Sequence, residues 1–147
     1  MQEFRKATAA DAEAIANLYR ELVPAAPINV LPDRIAEIAA DENTYLLVGD
    51  ENGEIVATAL VSLCKDVMFT RQPFAIIENV IVSQHHKRKG IGKALMKHIE
   101  AFCLAADCSK IMLLSGSDKH DAHDFYTAMG YDSDAKTGFI KKRRHFT

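Results

Sequence analysis

Seven consecutive residues, Lys87, Arg88, Lys89, Gly90, Ile91, Gly92 and Lys93, combine four cations with two glycines. An apolar run, 74–82, leads into them, and Ile91, Ala94, Leu95, Ile99, Phe102 and Ala106 follow at three- and four-residue spacing. That order reads as strand, basic turn and amphipathic helix, and its chemistry is anion binding. The first turn of a helix carries N–H groups without intrahelical partners and the positive end of the macrodipole. Glycines there remove the side chains that would hold a phosphate away from the backbone. The apolar face of the helix fixes its first turn against a core, so the phosphate site is preorganised.

Two familiar phosphate motifs do not fit. A P-loop places Gly-x-x-x-x-Gly-Lys before Ser or Thr, whereas Gly92-Lys93 is followed by Ala94 and no glycine stands five positions before Gly92. The dinucleotide fingerprint Gly-x-Gly-x-x-Gly fails at Leu95. A pyrophosphate on another carrier remains.

The stretch Val80-Ile-Val-Ser-Gln-His-His-Lys-Arg-Lys-Gly-Ile-Gly-Lys-Ala-Leu-Met96 resembles the acetyl-CoA site of the GNAT N-acetyltransferase superfamily, whose signature is Arg/Gln-x-x-Gly-x-Gly/Ala after a strand. Downstream, Ala122-His-Asp-Phe-Tyr-Thr-Ala-Met-Gly-Tyr131 is similar to that family's Ala-x-x-Phe-Tyr-x-x-x-Gly-Phe segment. The resemblance spans the chain, since Phe4-Arg-Lys-Ala-Thr-Ala-Ala-Asp is similar to the family's opening strand and helix. It departs at Lys87, which keeps the charge of Arg but not the planar fork, and at Arg88, where a Gly is common. Lys119 stands where many relatives carry an Asn that contacts the cofactor.

The resemblance implies an acetyl-CoA-dependent N-acetyltransferase acting on a primary amine by direct attack in a ternary complex. Its cofactor contacts would come from Val80, Ile81, Val82, residues 87–93 and Lys119, with the backbone of 80–82 holding the pantetheine arm and receiving the oxyanion. A primary amine of pKa about 10.4 needs roughly 4–5 kcal/mol to expose its lone pair at pH 7. Glu78 is the candidate base, because it interrupts the apolar strand Phe74-Ala-Ile-Ile-Glu-Asn-Val-Ile-Val82. The resemblance assigns Tyr126 the role of donor to the leaving sulfur. Within the family the region 115–131 looks closest to small-molecule members such as aminoalkylphosphonate N-acetyltransferases. Protein or peptide amines, aminoglycosides and polyamines are the other acceptor classes, and a silent acyl-CoA sensor is the non-catalytic alternative. An intact Glu78 and Tyr126 favour the enzyme over the sensor.

Elements that position these groups can be read along the chain. A strand from Glu3 to Thr8, a helix capped by Thr8 and running to Val23, a Pro-broken linker, and a helix from Asp33 to Ala40 come first. Loops on a fixed scaffold carry specificity, so the linker is the expected substrate contact. Tyr45–Gly49 and Ile55–Cys64 flank the Asn52-Gly53 hairpin signal. Strands over 74–82, 110–115 and 137–142, and helices over 90–106 and 119–129 with Gly130 as C-cap, complete an α/β (α+β) GNAT fold. The expected sheet is central, mixed and mostly antiparallel, with six to seven strands and about four helices.

Composition sets limits. A chain of 147 residues with 48% hydrophobic content supports one domain over 1–147, and a net charge of −2 gives no general pull toward nucleic acid. The basic run Lys141-Lys-Arg-Arg-His145 reads as a solvated strand end. Apolar runs are too short for a membrane span or a signal peptide, and Cys64, Cys103 and Cys108 show no Cys-x-x-Cys pair, which together predict a cytoplasmic protein with reduced thiols. His120 and His123 have helical spacing but no third ligand, so no metal is expected. A homodimer is an expectation from the family alone.

Overall fold

Asn52 and Gly53 adopt positive φ of 55° and 93° and close a two-residue turn between two long strands. In this computed structural model, which describes residues 2–147, those strands are β2 (Thr44–Glu51) and β3 (Glu54–Cys64). The Asp50 carboxylate fixes the turn by accepting from the Gly53 N–H at 2.7 Å. With β1 (Gln2–Lys6), β4 (Phe74–Val82) and β5 (Ile111–Leu113) they form one sheet in the order β1-β2-β3-β4-β5. All pairings are antiparallel except β4 with β5, which is parallel.

The described chain divides into two compact units, 2–113 and 114–147. The first holds the whole sheet and three helices, α1 (Ala12–Leu22), α2 (Pro32–Ala39) and α3 (Ile91–Ala105). Alternation along β2 explains why both sheet faces are covered. Leu46 and Val48 pack with Ala12 and Ile15 of α1 and Ile35 of α2, whereas Tyr45 meets Phe102 of α3 edge-on, with ring centroids 4.7 Å apart. Ile15, Leu95, Met96 and Ile99 are fully buried, each contributing about 1.5–3 kcal/mol of apolar burial. These anchors hold α3, and hence the turn before it, against the sheet.

Thr8 caps a 3-10 turn, Ala9–Asp11, that runs into α1. Asp11 reaches back to accept from the Thr8 amide at 2.8 Å and is clasped by Arg5 through two hydrogen bonds of 2.8 and 3.0 Å. The guanidinium holds the Asp11 carboxyl below the ordinary range, and burial opposes this less strongly.

The second unit contains α4 (His120–Ala128) and a short 3-10 turn, Arg143–His145. Gly130, at φ 95°, ends α4: its N–H bonds the Thr127 carbonyl and the Tyr131 N–H bonds that of Tyr126, a Schellman closure. The expected strand over 137–142 does not form, so the sheet has five strands among the described residues rather than six or seven. Its apolar residues, Phe139 and Ile140, are adjacent instead of alternating, which gives no one-sided face to bury, and both are exposed. β5 is also shorter than the predicted 110–115. No helix of the described residues is long and apolar enough to cross a membrane.

Candidate functional site

β4 carries the first part of the site. β5 pairs with it only from Ala75 to Ile77, so Glu78 to Val82 have a strand partner on the β3 side alone among the described residues. Pairing with β3 then slips. Leu60 faces Glu78 and Thr58 faces Ile81, which leaves Asn79 and Val80 opposite Ala59 in a bulge. Asn79 takes φ 56°. A bulge re-aims the side chains around it, and here it stands beside Glu78 and at the start of the 80–82 backbone. Glu78 is exposed on this strand, so its apolar neighbours in sequence do not bury it.

Past Val82 the chain is tied down twice. The buried Ser83 donates its N–H to the Val56 carbonyl at 2.8 Å, and the Gln84 N–H donates to Glu21 of α1 at 2.9 Å. A 3-10 turn, Gln84–His86, follows, with His86 Nε2 at 3.5 Å from Glu54. Lys87 is extended, Arg88 is left-handed at φ 65°, and Gly90 is left-handed at φ 79° as the N-cap of α3. No side chain caps that helix.

The geometry fits a phosphate ligand. Apart from its own chain neighbours, nothing lies within 4 Å of where a Gly90 Cβ would sit, so the rest of the fold leaves the mouth of the turn open. The first-turn N–H groups of Ile91, Gly92 and Lys93 point out of the helix by construction. Lys87, Arg88, Lys89 and Lys93 are exposed around it, while Ile91 is buried and anchors the turn from below. The position where the sequence resemblance favours Gly is the one that takes a left-handed backbone, and Arg88 occupies it at a conformational cost of about 1–2 kcal/mol.

The two remaining candidates lie in the second unit. Lys119 is the N-cap residue of α4, and its carbonyl accepts from His123 at 3.1 Å. Tyr126, half-buried on α4, packs edge-on against Phe125 and Tyr131 with centroids 5.3 and 6.0 Å away, and burial raises its pKa. His123 Nε2 lies 2.7 Å from the Gly116 carbonyl, and His120 lies against it ring to ring. Among the described residues no group of three His, Cys, Asp or Glu could hold a metal ion.

Sequence reasoning missed Asn79, Tyr19 and Glu21. The signal for Asn79 was available: Asn is disfavoured inside strands but tolerates the left-handed backbone of a bulge. Tyr19, whose hydroxyl interacts with the Asn79 side chain, and Glu21, which holds Gln84, had no sequence signal, because each meets its partner only through the fold. Tyr19 also walls an apolar cavity of about 230 Å³ with Ile15, Val30, Leu31, Ile35 and Leu46, under the linker expected to meet substrate.

Known proteins agree with this geometry. The Acetyltransferase (GNAT) family matches residues 12–131. The chain is 28% identical over 141 residues to an aminoglycoside N(6')-acetyltransferase type 1 of Stenotrophomonas maltophilia, covering 93% of this chain and 90% of that one. Among solved structures, a putative acetyltransferase from Agrobacterium tumefaciens superposes with a TM-score of 0.87 at 29% identity, covering 96% of this chain and 99% of that one. The glucosamine-6-phosphate N-acetyltransferase of Arabidopsis thaliana shares the fold at 22% identity, with a TM-score of 0.81 and 97% of both chains covered. The chain belongs to the GNAT acetyltransferase family, as an N-acetyltransferase whose co-substrate is acetyl-CoA.

Proposed function

We propose that the acceptor is a primary amine of a small molecule, with aminoglycosides and other amino sugars the first class to test. The observation that carries this is the full-length likeness to an aminoglycoside N(6')-acetyltransferase. Nothing comparable supports the aminoalkylphosphonate class, so it enters as one arm of the test.

In this reading residues 87–93 hold the CoA pyrophosphate on the α3 amides, and the backbone of Val80, Ile81 and Val82 holds the pantetheine arm along the part of β4 that β5 leaves unpaired. By resemblance to the family, Lys119 is a further cofactor contact. Glu78 takes the ammonium proton, directly or through a water, and its exposure leaves it open to either route. The amine nitrogen then bonds the thioester carbon, a backbone N–H of 80–82 receives the oxyanion, and the carbon–sulfur bond breaks as the nitrogen's remaining extra proton passes to solvent and CoA leaves as the thiolate. Tyr126 stabilises the departing sulfur. Its pKa is raised above its ordinary value of 10, so the phenol stays protonated at neutral pH. Full transfer to a thiolate of pKa about 8.5 would be uphill by about 2 kcal/mol or more. Tyr126 therefore works as a hydrogen-bond donor to sulfur.

Thiol release from acetyl-CoA, followed across aminoglycosides, glucosamine phosphates, aminoalkylphosphonates, polyamines and peptide N-termini, tests the reading. Turnover confined to amino sugars supports it. Turnover confined to peptide amines overturns the small-molecule acceptor.

A further inference from the structure

Two residues of α1 hold the two ends of one short segment. Near its start, the half-buried Tyr19 hydroxyl interacts with the side chain of Asn79, the left-handed residue of the β4 bulge. At its end, Glu21 accepts from the Gln84 N–H at 2.9 Å, where the chain leaves β4 for the basic turn. Between these points lie Val80, Ile81 and Val82, whose backbone is half free for a ligand, and Ser83, pinned to Val56.

We propose that Tyr19 and Glu21 are positioning residues, a two-point clamp by which α1 sets the backbone of 79–84 in the conformation that binds acetyl-CoA. This rests on the reading that the 80–82 backbone holds the pantetheine arm.

Three physical points support the clamp. Asn tolerates a left-handed backbone but does not by itself fix it, and the bulge leaves Asn79 and Val80 off the β3 ladder, so a neighbouring element must hold them. Tyr19, half-buried on α1, supplies a neighbour that favours one placement of the Asn79 side chain. α1 is itself a firm base, since Ile15, Ala16 and Leu18 are buried and its N-terminus is closed by Thr8 and Asp11. A ligand bound through backbone N–H groups cannot be tuned by the side chains of the residues it touches, so a second element must fix the backbone. α1 also leads directly into the linker over the Tyr19 cavity, so the clamp ties the cofactor strand to the expected acceptor side.

The test is calorimetric titration with CoA at low temperature, beside thermal unfolding, for wild type, Tyr19→Phe, Asn79→Gly, their double variant, Glu21→Ala and Glu21→Gln. Glycine accepts the left-handed backbone without strain, so Asn79→Gly removes the contact and not the bulge. Tyr19→Phe and Asn79→Gly should each weaken CoA by about three- to tenfold, the worth of one net hydrogen bond, and the double variant should lose no more than either alone. Glu21→Ala should show a similar loss, and Glu21→Gln, whose amide oxygen still accepts from Gln84, should recover most of it.

CoA affinity within twofold of wild type in both Tyr19→Phe and Glu21→Ala, with only the melting temperature lowered, would overturn the clamp while leaving the cradle standing. Absence of CoA binding by the wild type would instead overturn the cradle, and the clamp with it. The choice of amine does not enter, so an error in acceptor class leaves the result readable.

Discussion

Two helices of the first unit begin in opposite ways. α1 starts through a 3-10 turn closed by a capping box, Asp11 accepting from the Thr8 amide with Arg5 clamped across it. α3 starts at Gly90 with no capping side chain, a left-handed backbone and a ring of exposed cations. An N-cap oxygen typically contributes about 1 kcal/mol to a helix, so α3 forgoes stability at the place where an anionic ligand would restore it. One helix end is closed by its own chain, and in the proposed reading the other is closed by a phosphate.

The contrast can be broken most forcefully at α3. Gly92→Glu puts bulk and like charge into the first turn, and CoA binding should fall by at least about a hundredfold, with circular dichroism showing an intact fold. Tyr126→Phe comes next: turnover should drop about a hundredfold while CoA affinity, read by calorimetry, stays where it was. Turnover unchanged in that variant would remove the donor role.

At α1 the effect should fall on stability alone. Asp11→Ala loses the cap and the Arg5 contacts and should cost about 1–2 kcal/mol in denaturant unfolding, with CoA affinity unaltered. Its pH signature has a definite sign. The folded Asp11 carboxyl lies below its unfolded value near 3.8, so its stabilisation is present above that value and is lost as pH falls through the folded pKa. Asp11→Asn should flatten the acid limb of the stability curve below about pH 4. A limb as steep as that of the wild type would show that other carboxylates govern it.

Smaller effects separate strain kept for function from strain with no such use. Arg88→Gly and Asp107→Gly both relieve a left-handed residue, at φ 65° and 62°, and each should stabilise by about 1 kcal/mol. Only Arg88→Gly should also weaken CoA, by a few-fold, because it removes a cation from the cradle. Equal CoA affinities in the two variants would deny Arg88 a place in the site.

Sequence made the open turn and α3 legible because their signal is local: Gly90, Gly92 and the basic run sit beside one another, and the helical spacing after them is regular. The Asn52-Gly53 turn was legible for the same reason. Gly130 announced the end of α4, whereas the same Schellman closure at the end of α3, where the Cys108 N–H bonds the Cys103 carbonyl, uses Asp107 and carries no such sign. The 137–142 strand was over-read, since Phe139 and Ile140 are apolar but adjacent. Tyr19 and Glu21 were not readable at all, because contacts to partners 60 and 63 residues away in sequence depend on how α1 lies over β4.

The measurement that bears most directly on the open start of α3 is a crystal structure of the wild-type protein with CoA. The predicted result places the pyrophosphate oxygens within hydrogen-bond distance of the backbone N–H groups at 90–93, with the pantetheine arm along Val80 to Val82. A pyrophosphate seated elsewhere, with those amides facing water, would contradict it.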